Sequence, residues 1–361
     1  MLQAFALQKV IKRLGHEVVT IDRKNNRRSL IRNFLSLSKS FLIRTLSKKS
    51  TGRFSTKQYQ TIFHNTSDFI KKNIVLSEVI DTENKIKQHF NKQNYDAVVV
   101  GSDQTWRPRY SPSIYNFYLD FLEDKPIKKI AYASSFGVDD WEYNALQSAR
   151  CGALAKKFDS ISVREEFGIE LCRKYYGVEA EWVLDPTLLL SKEDYINLLD
   201  IELTSNSKEK LFTYILDSSN EKINIMNMVS QHLGLQQFKH QPKTSLGRVG
   251  SKDTRDYIYP SVNGWVKSFH DADYIVTDSF HGCVFSIIFK KPFLAIANED
   301  RGLSRFKSLL KIFNLEKRLV FNLNDVTTEI ISEHIDWFSV ESILEKQKKS
   351  SITFLKKALE Q

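Results

Sequence analysis

Residues 96–106 read DAVVVGSDQTW. After Asp96 comes an uncharged run, Ala97 to Val100, and then Gly101. A continuous apolar run of this length, closed by a glycine, predicts a strand buried on both faces. Strands of that kind belong to parallel sheets, which bind ligands beyond the carboxyl ends of their strands. Ser102, Asp103 and Gln104 stand at such an end.

The same pattern repeats downstream. Residues 129–133, KIAYA, run into SSFG; residues 160–163, SISV, end at Arg164; residues 182–184 end at Asp185 and Pro186. Helical patterns over 142–157 and 165–175 separate these strands. Upstream, the spacing predicts a helix over 2–14 stopped by Gly15, a strand over 18–21 and a helix over 81–91.

The alternation restarts after Pro186. Strands are expected at 211–216, 236–239, 273–277 and 292–297. Helices are expected at 219–234, at 262–273, from Ser279 through 283–289, and at 340–360. The fold class is therefore α/β. Two Rossmann-like domains, 1–186 and 187–361, are expected to face each other across a cleft, the second ending in a basic helical tail. A chain of 361 residues suits two such domains.

The formal net charge is +10, and its distribution explains it. Residues 23–57 hold 11 Lys or Arg and no Asp or Glu. Such a field attracts phosphates or an anionic membrane surface, or lies on a solvated helix. Membrane contact is expected over residues 23–60. Leu and Phe there are not interleaved as stacking platforms, so a nucleic-acid partner is not expected. Cys151, Cys172 and Cys283 form no CxxC pair and read as core residues of a reduced compartment. No apolar run is long enough to span a membrane, and no signal peptide is legible. A cytoplasmic location, peripheral at the inner membrane face, is the expectation.

Four strand ends carry candidate chemistry. At 101–106, Ser102, Asp103 and Gln104 suit sugar hydroxyls. Trp106 either stacks on a sugar face or fills the core. At 163–168, VREEFG, Arg164 needs an anion: a ligand carboxylate or phosphate, or Glu165 and Glu166. At 277–282, TDSFHG, Ser279 and His281 open a helix whose N–H groups favour anions, and imidazole can transfer a proton. Arg301 and Arg305, four apart, would share a helix face and add charge. No GxGxxG, GxxxxGK[ST] or HExxH pattern occurs, so dinucleotide, P-loop and zinc readings lack their fingerprints. No metal and no cofactor is expected.

Together VVVGSDQTWRP, FYLDF at 117–121, KKIAYASSFG, ISVREEFG, VLDPTLLL, VTDSFHGCVFSIIFKKPFLAI and RGLSRF resemble the polysaccharide pyruvyltransferase family. The resemblance runs from LQAFALQ at 2–8 to about residue 320. It implies a fold like the two-domain GT-B glycosyltransferases, with phosphoenolpyruvate as donor substrate. It also implies an exopolysaccharide, capsule or cell-wall saccharide as acceptor, lipid-diphosphate-linked in many cases. Arg164 and His281 match the family's donor arginine and its histidine, and Arg305 matches a further arginine. With Asp103, Arg164 and His281 form the expected catalytic set. Ser102, Gln104, Trp106, Ser279, Arg301 and Arg305 are the expected substrate contacts. Family members begin with a strand and an Asn/Gly loop ahead of LQAFALQ; here Met1 precedes Leu2, so the first half is expected without that strand. The rival readings are a nucleotide-sugar glycosyltransferase of the same architecture and a weakly active scaffold of a polysaccharide assembly complex.

Overall fold

The computed structural model describes residues 1–24, 54–111, 113–122, 124–199, 209–244, 246, 253–299 and 302–360. The basic block is therefore described only at its margins. Its interior, with Arg27, Arg28 and Arg32, lies outside the described residues, as does Arg301.

The apolar runs become short parallel strands. They are β1 (Thr20–Arg23), β2 (Leu76–Ile80), β3 (Ala97–Val100), β4 (Lys128–Ser134), β5 (Ser160–Val163) and β6 (Glu181–Trp182), then β7 (Glu209–Tyr214), β8 (Gln236–Phe238), β9 (Tyr274–Thr277), β10 (Phe293–Ile296) and β11 (Leu319–Val320). Among the described residues β1 pairs β2, a second sheet runs β3-β4-β5-β6, and a third runs β11-β10-β9-β7-β8. Every pair is parallel. In the third sheet the chain steps outward from β7 to β8, then returns to the other side of β7 as β9. That reversal puts a topological switch between β7 and β9, and the loop after β9 carries Ser279 and His281.

Helices between the strands are closed by local signals. Asn144 and Gln147 make a reciprocal capping box for Ala145–Ala155. Thr82 caps Glu83–Lys92, and Ser219 caps Asn220–Leu233. The opening helix, Leu2–Arg13, stops ahead of Gly15 as expected. Two expectations shift. The strand expected at 18–21 starts at Thr20, and the helix after Arg164 is α-helical only over Glu166–Leu171 before a π turn through Tyr176.

One core cluster runs across the expected division of the chain. Phe5, Val10, Tyr132, Leu188, Tyr195, Phe212, Phe285 and Phe354 belong to one buried apolar cluster that touches the second and third sheets. Residues 186–190, expected as a boundary, are buried rather than an exposed linker. The C-terminal helix, Trp337–Glu360, does not stay with the second half. Phe354 meets Tyr132 of β4 at 6.3 Å between ring centroids, the Ser351 hydroxyl accepts from the Leu184 N–H at 3.0 Å, and Lys128 Nζ donates to the Leu359 carbonyl at 2.9 Å. Its apolar stripe packs on β4 of the first half of the chain, while Glu341 near its start pairs with Lys290 of the second half at 2.8 Å. Cys151, Cys172 and Cys283 are buried free thiols.

Candidate active site at the carboxyl ends of the strands

The site forms where the chain leaves β5, β6 and β9. Val163 ends β5, and the next side chain, Arg164, is only 1% accessible. An arginine so placed must meet anions. Its Nε donates to Glu165 Oε1 at 2.8 Å and its Nη1 to Asp185 Oδ2 at 2.8 Å. The guanidinium lies 4.4 Å from the ring centroid of Phe280. Burial opposes its charge, but Glu165, Asp185 and Asp103 outweigh burial and raise its pKa. Of the two expected acidic partners only Glu165 serves; Glu166 reaches Lys311 instead, at 2.7 Å.

Asp185 is the hub. Oδ1 accepts from the Thr187 N–H at 3.0 Å and the Thr187 hydroxyl at 2.6 Å. Oδ2 accepts from Gln3 Nε2 at 2.7 Å and Ser102 Oγ at 3.2 Å, besides Arg164. His281 Nε2 stands 3.7 Å from the same Oδ2, an ion-pair distance longer than a hydrogen bond. Burial would push the Asp185 carboxyl up. The contact with His281 and the Arg164 charge hold it well below the usual carboxylate range.

His281 sits in the first turn of Phe280–Ile288, where Ser279 is the N-cap residue. The first turn presses on the end of β9: a Cβ at Gly282 would stand 2.1 Å from Thr277 Oγ1, so only glycine fits. The Ser279 N–H donates to that same hydroxyl at 3.1 Å. First-turn N–H groups have no intrahelical acceptor, which leaves this end able to hold an anion.

Arg305 approaches from the helix Leu303–Ile312. It lies 5.7 Å from the Phe280 ring centroid. Burial, then repulsion from Arg164, push its pKa down to about 10 against the pull of Glu165 and Asp103. Gly302, just before this helix, has φ +79°, and a Cβ there would stand 2.0 Å from the carbonyl oxygen of Gly137. The loop after β10 therefore packs directly on the SSFG loop after β4. Arg301, the other arginine of the expected pair, lies outside the described residues. Arg164 and Arg305 are grouped with three carboxylates, those of Asp103, Glu165 and Asp185.

The GSDQTW loop divides. Asp103 takes φ +73° and bridges Ser134, which turns its carboxylate out. Its side chain is 55% accessible and 3.9 Å from Arg164 Nη1. Ser102 joins the Asp185 network rather than facing a free surface. Gln104 accepts from Arg107 Nη1 at 2.9 Å and braces the Gly137 turn. Trp106 is fully buried, stacked on Tyr118 at 4.9 Å, with Nε1 donating to the Phe117 carbonyl at 2.9 Å. The sugar-stacking reading of Trp106 is overturned: the indole fills the aromatic core beneath the loop. Trp106→Ala is expected to cost about 3–5 kcal/mol of stability, read by denaturant unfolding. A variant with unchanged stability would contradict the core assignment.

Asp185, Gln3, Glu165, Ser135 and Phe280 were not among the expected site residues. Ser135 Oγ donates to Glu165 Oε1 at 2.8 Å and so fixes the carboxylate beside Arg164. The signal for Asp185 was present: a lone acid at the end of an apolar strand, as for Arg164, and of opposite sign. Asp278, another acid after a strand, is consumed structurally by the Leu216 and Asp217 N–H groups and by Lys222.

Five buried polar atoms on these loops make no hydrogen bond within the described residues: Thr105 Oγ1, Arg164 Nη2, Glu165 Oε2, His281 Nε2 and Ser304 Oγ. Buried polar groups are normally satisfied, so the cluster suits a polar ligand that both donates and accepts hydrogen bonds. Among the described residues no group of His, Cys, Asp and Glu is spaced to hold a metal ion, and no helix is long and apolar enough to cross a membrane.

The sequence profile of the polysaccharide pyruvyl transferase family matches residues 1–300. No curated protein matches the chain. Among solved structures, UDP-N-acetylglucosamine 2-epimerase from Rickettsia bellii is similar with TM-score 0.52 and 10% identity, over 98% of this chain and 93% of its own. A functionally uncharacterized protein from Klebsiella pneumoniae is similar with TM-score 0.41 and 12% identity, over 79% and 97%. At 10% identity the likeness to the epimerase is one of fold: mixed α/β, with two regions of sheet and helix.

Proposed function

Because the chain belongs to the polysaccharide pyruvyl transferase family, we propose that it moves the pyruvyl group of phosphoenolpyruvate onto a saccharide of a cell-surface polysaccharide. The product is a cyclic pyruvate ketal, and phosphate is released. The observation that carries this reading is the convergence of Arg164 Nη1 and His281 Nε2, from the ends of β5 and β9, on the one carboxylate oxygen Asp185 Oδ2.

In the proposed reaction a proton goes to the methylene carbon of the donor, which becomes a methyl group. The neighbouring carbon turns oxocarbenium-like, and one acceptor hydroxyl bonds to it. The carbon–oxygen bond to phosphate then breaks, and the second hydroxyl closes the ring. Of the two hydroxyl protons lost, one balances the methyl group and the other leaves with phosphate. Arg164 and Arg305 bind carboxylate and phosphate, aided by the N–H groups after Ser279. His281 supplies the proton, and Asp103 is placed to take one from the acceptor.

The proposal extends to architecture and partners. The two sheet-and-helix regions act as GT-B-like halves, the first taking the saccharide and the second presenting His281. The acceptor is a diol, lipid-diphosphate-linked, met at the inner face of the membrane with help from the basic residues 23–60.

The test is release of inorganic phosphate from phosphoenolpyruvate in the presence of diol saccharides, with the ketal identified by mass spectrometry. Phosphate release that requires both reactants is expected. Consumption of a UDP- or GDP-sugar with phosphoenolpyruvate inert would replace this reading with a glycosyltransferase. Thermal shift gives a second readout: ligand at a hundred times its Kd stabilises by about 2.7 kcal/mol.

A further inference from the structure

We propose that Asp185 is the positioning residue of this site, one carboxylate oxygen setting both the Arg164 guanidinium and the His281 imidazole. The inference rests on the pyruvyl-transfer reading and names a residue that reading does not require.

The carboxylate is held immobile. Two bonds from Thr187 fix Oδ1, and Gln3 and Ser102 converge on Oδ2. These donors come from the opening helix, the loop after β3 and the turn after β6. An oxygen so placed is a fixed point to which more mobile groups are referred. Arg164 binds it through Nη1, and Glu165 takes Nε, so the planar fork has no rotational freedom left. Nη2 alone is left without an acceptor. The fork thus turns toward the donor the only edge that its two carboxylates do not occupy.

His281 refers to the same oxygen from the other half of the chain. At 3.7 Å its Nε2 is one small adjustment from a hydrogen bond. Apo sites commonly hold such contacts long and tighten them on ligand binding. A ring nitrogen directed at a fixed carboxylate has its plane and tautomer set, as in other histidine–carboxylate pairs. The His281 ring is 27% accessible, so its remaining edge faces outward. Asp185 itself has its lone pairs directed at protein groups and touches no reacting atom. It acts through its two partners.

Asp185→Asn tests this with a sign that a structural role does not share. The variant removes a negative charge next to the donor arginine, so phosphoenolpyruvate should bind as well as before or better. Alignment of His281 is lost, so kcat for phosphate release should fall about 10²-fold. General distortion of the site would raise KM instead. In a His281→Gln background, Asp185→Asn should lower kcat by less than about threefold, because the group through which it acts is already gone. Thr187→Val keeps the charge and the shape but frees Oδ1; it should lower kcat by roughly tenfold and covers the case in which Asp185→Asn does not fold. A kcat within about threefold of the parent for either folded variant overturns the inference. So does a full multiplicative loss in the His281→Gln background.

Imidazole nitrogen-15 NMR separates this from the donor assignment. The His281 ring signals, identified by their absence in His281→Gln, should move in Asp185→Asn without any ligand present. Unmoved signals overturn the positioning role. A parent protein that releases no phosphate, with signals that do move, overturns the donor reading and leaves the positioning role standing.

Discussion

His281→Gln should lower turnover of phosphoenolpyruvate by roughly 10²–10⁴-fold, the range for a positioned acid–base group. Glutamine keeps a polar side chain of similar reach and can still meet Asp185 Oδ2. It cannot give up a proton at neutral pH. Donor affinity should change far less, since the proposed donor site assigns the anionic groups to Arg164, Arg305 and the N–H groups of the first helical turn. The sequence alone suggests cations around the ring; in the structure a carboxylate faces it at 3.7 Å. Turnover and direct donor affinity, measured on protein checked by circular dichroism and thermal unfolding, decide the matter. A folded variant turning over within about threefold of the parent would remove His281 as the acid. Asp103, accessible and 3.9 Å from Arg164, would be the next residue to test.

The sheets were legible because their strands are apolar on both faces. β3, β4, β5 and β9 are short stretches dominated by Val, Ile, Ala and Tyr, and each lies within two residues of its expected place. β2, LSEVI, escaped because it is half exposed, lies beside β1 in a two-stranded sheet and has no long apolar run. The C-terminal helix was legible as a helix but not in its destination. Amphipathic spacing says that one face is buried and does not say against which sheet. Only the match of Phe354 to Tyr132 and of Ser351 to Leu184 supplies that.

The site was legible to the same degree and for related reasons. A charged or titratable side chain directly after a buried strand has few places to go, so Arg164 and His281 could be read as partners in one site. What pattern does not give is saturation. Arg164 was read as meeting either a ligand anion or Glu165 and Glu166; Glu165 takes one donor edge, and Asp185, which was not foreseen, takes another. For Trp106 the residues left a sugar face and the core both open; the αL turn at Asp103 folds the chain back and sends the indole into the core.

Arg164→Ala should produce a large loss of stability together with loss of donor binding. The side chain neutralises two buried carboxylates at once. Removing it leaves both without their cation, a change that costs about 3–5 kcal/mol for a buried pair. The loss should depend on pH, with a definite sign. The Asp185 carboxyl is held below its ordinary value in the fold, burial opposing and His281 and Arg164 prevailing. A depressed carboxylate contributes stability above its unfolded pKa, about 3.9 for Asp, and loses it as pH falls through the folded value. Without Arg164 much of that contribution is gone at neutral pH. The gap between parent and variant should therefore be largest at neutral pH and should narrow as acid protonates Asp185, first in the variant, where burial is less opposed. Denaturant unfolding at pH 7 and near pH 4 measures it; a gap that widens in acid would mean that the Asp185 ion pair is not what Arg164 stabilises. Donor affinity should fall about 10²-fold, the value of a charge-assisted hydrogen bond. Arg164→Lys separates the two roles. An ammonium restores a charge between Glu165 and Asp185 but has no third edge to present, so it should recover part of the stability and little of the donor affinity.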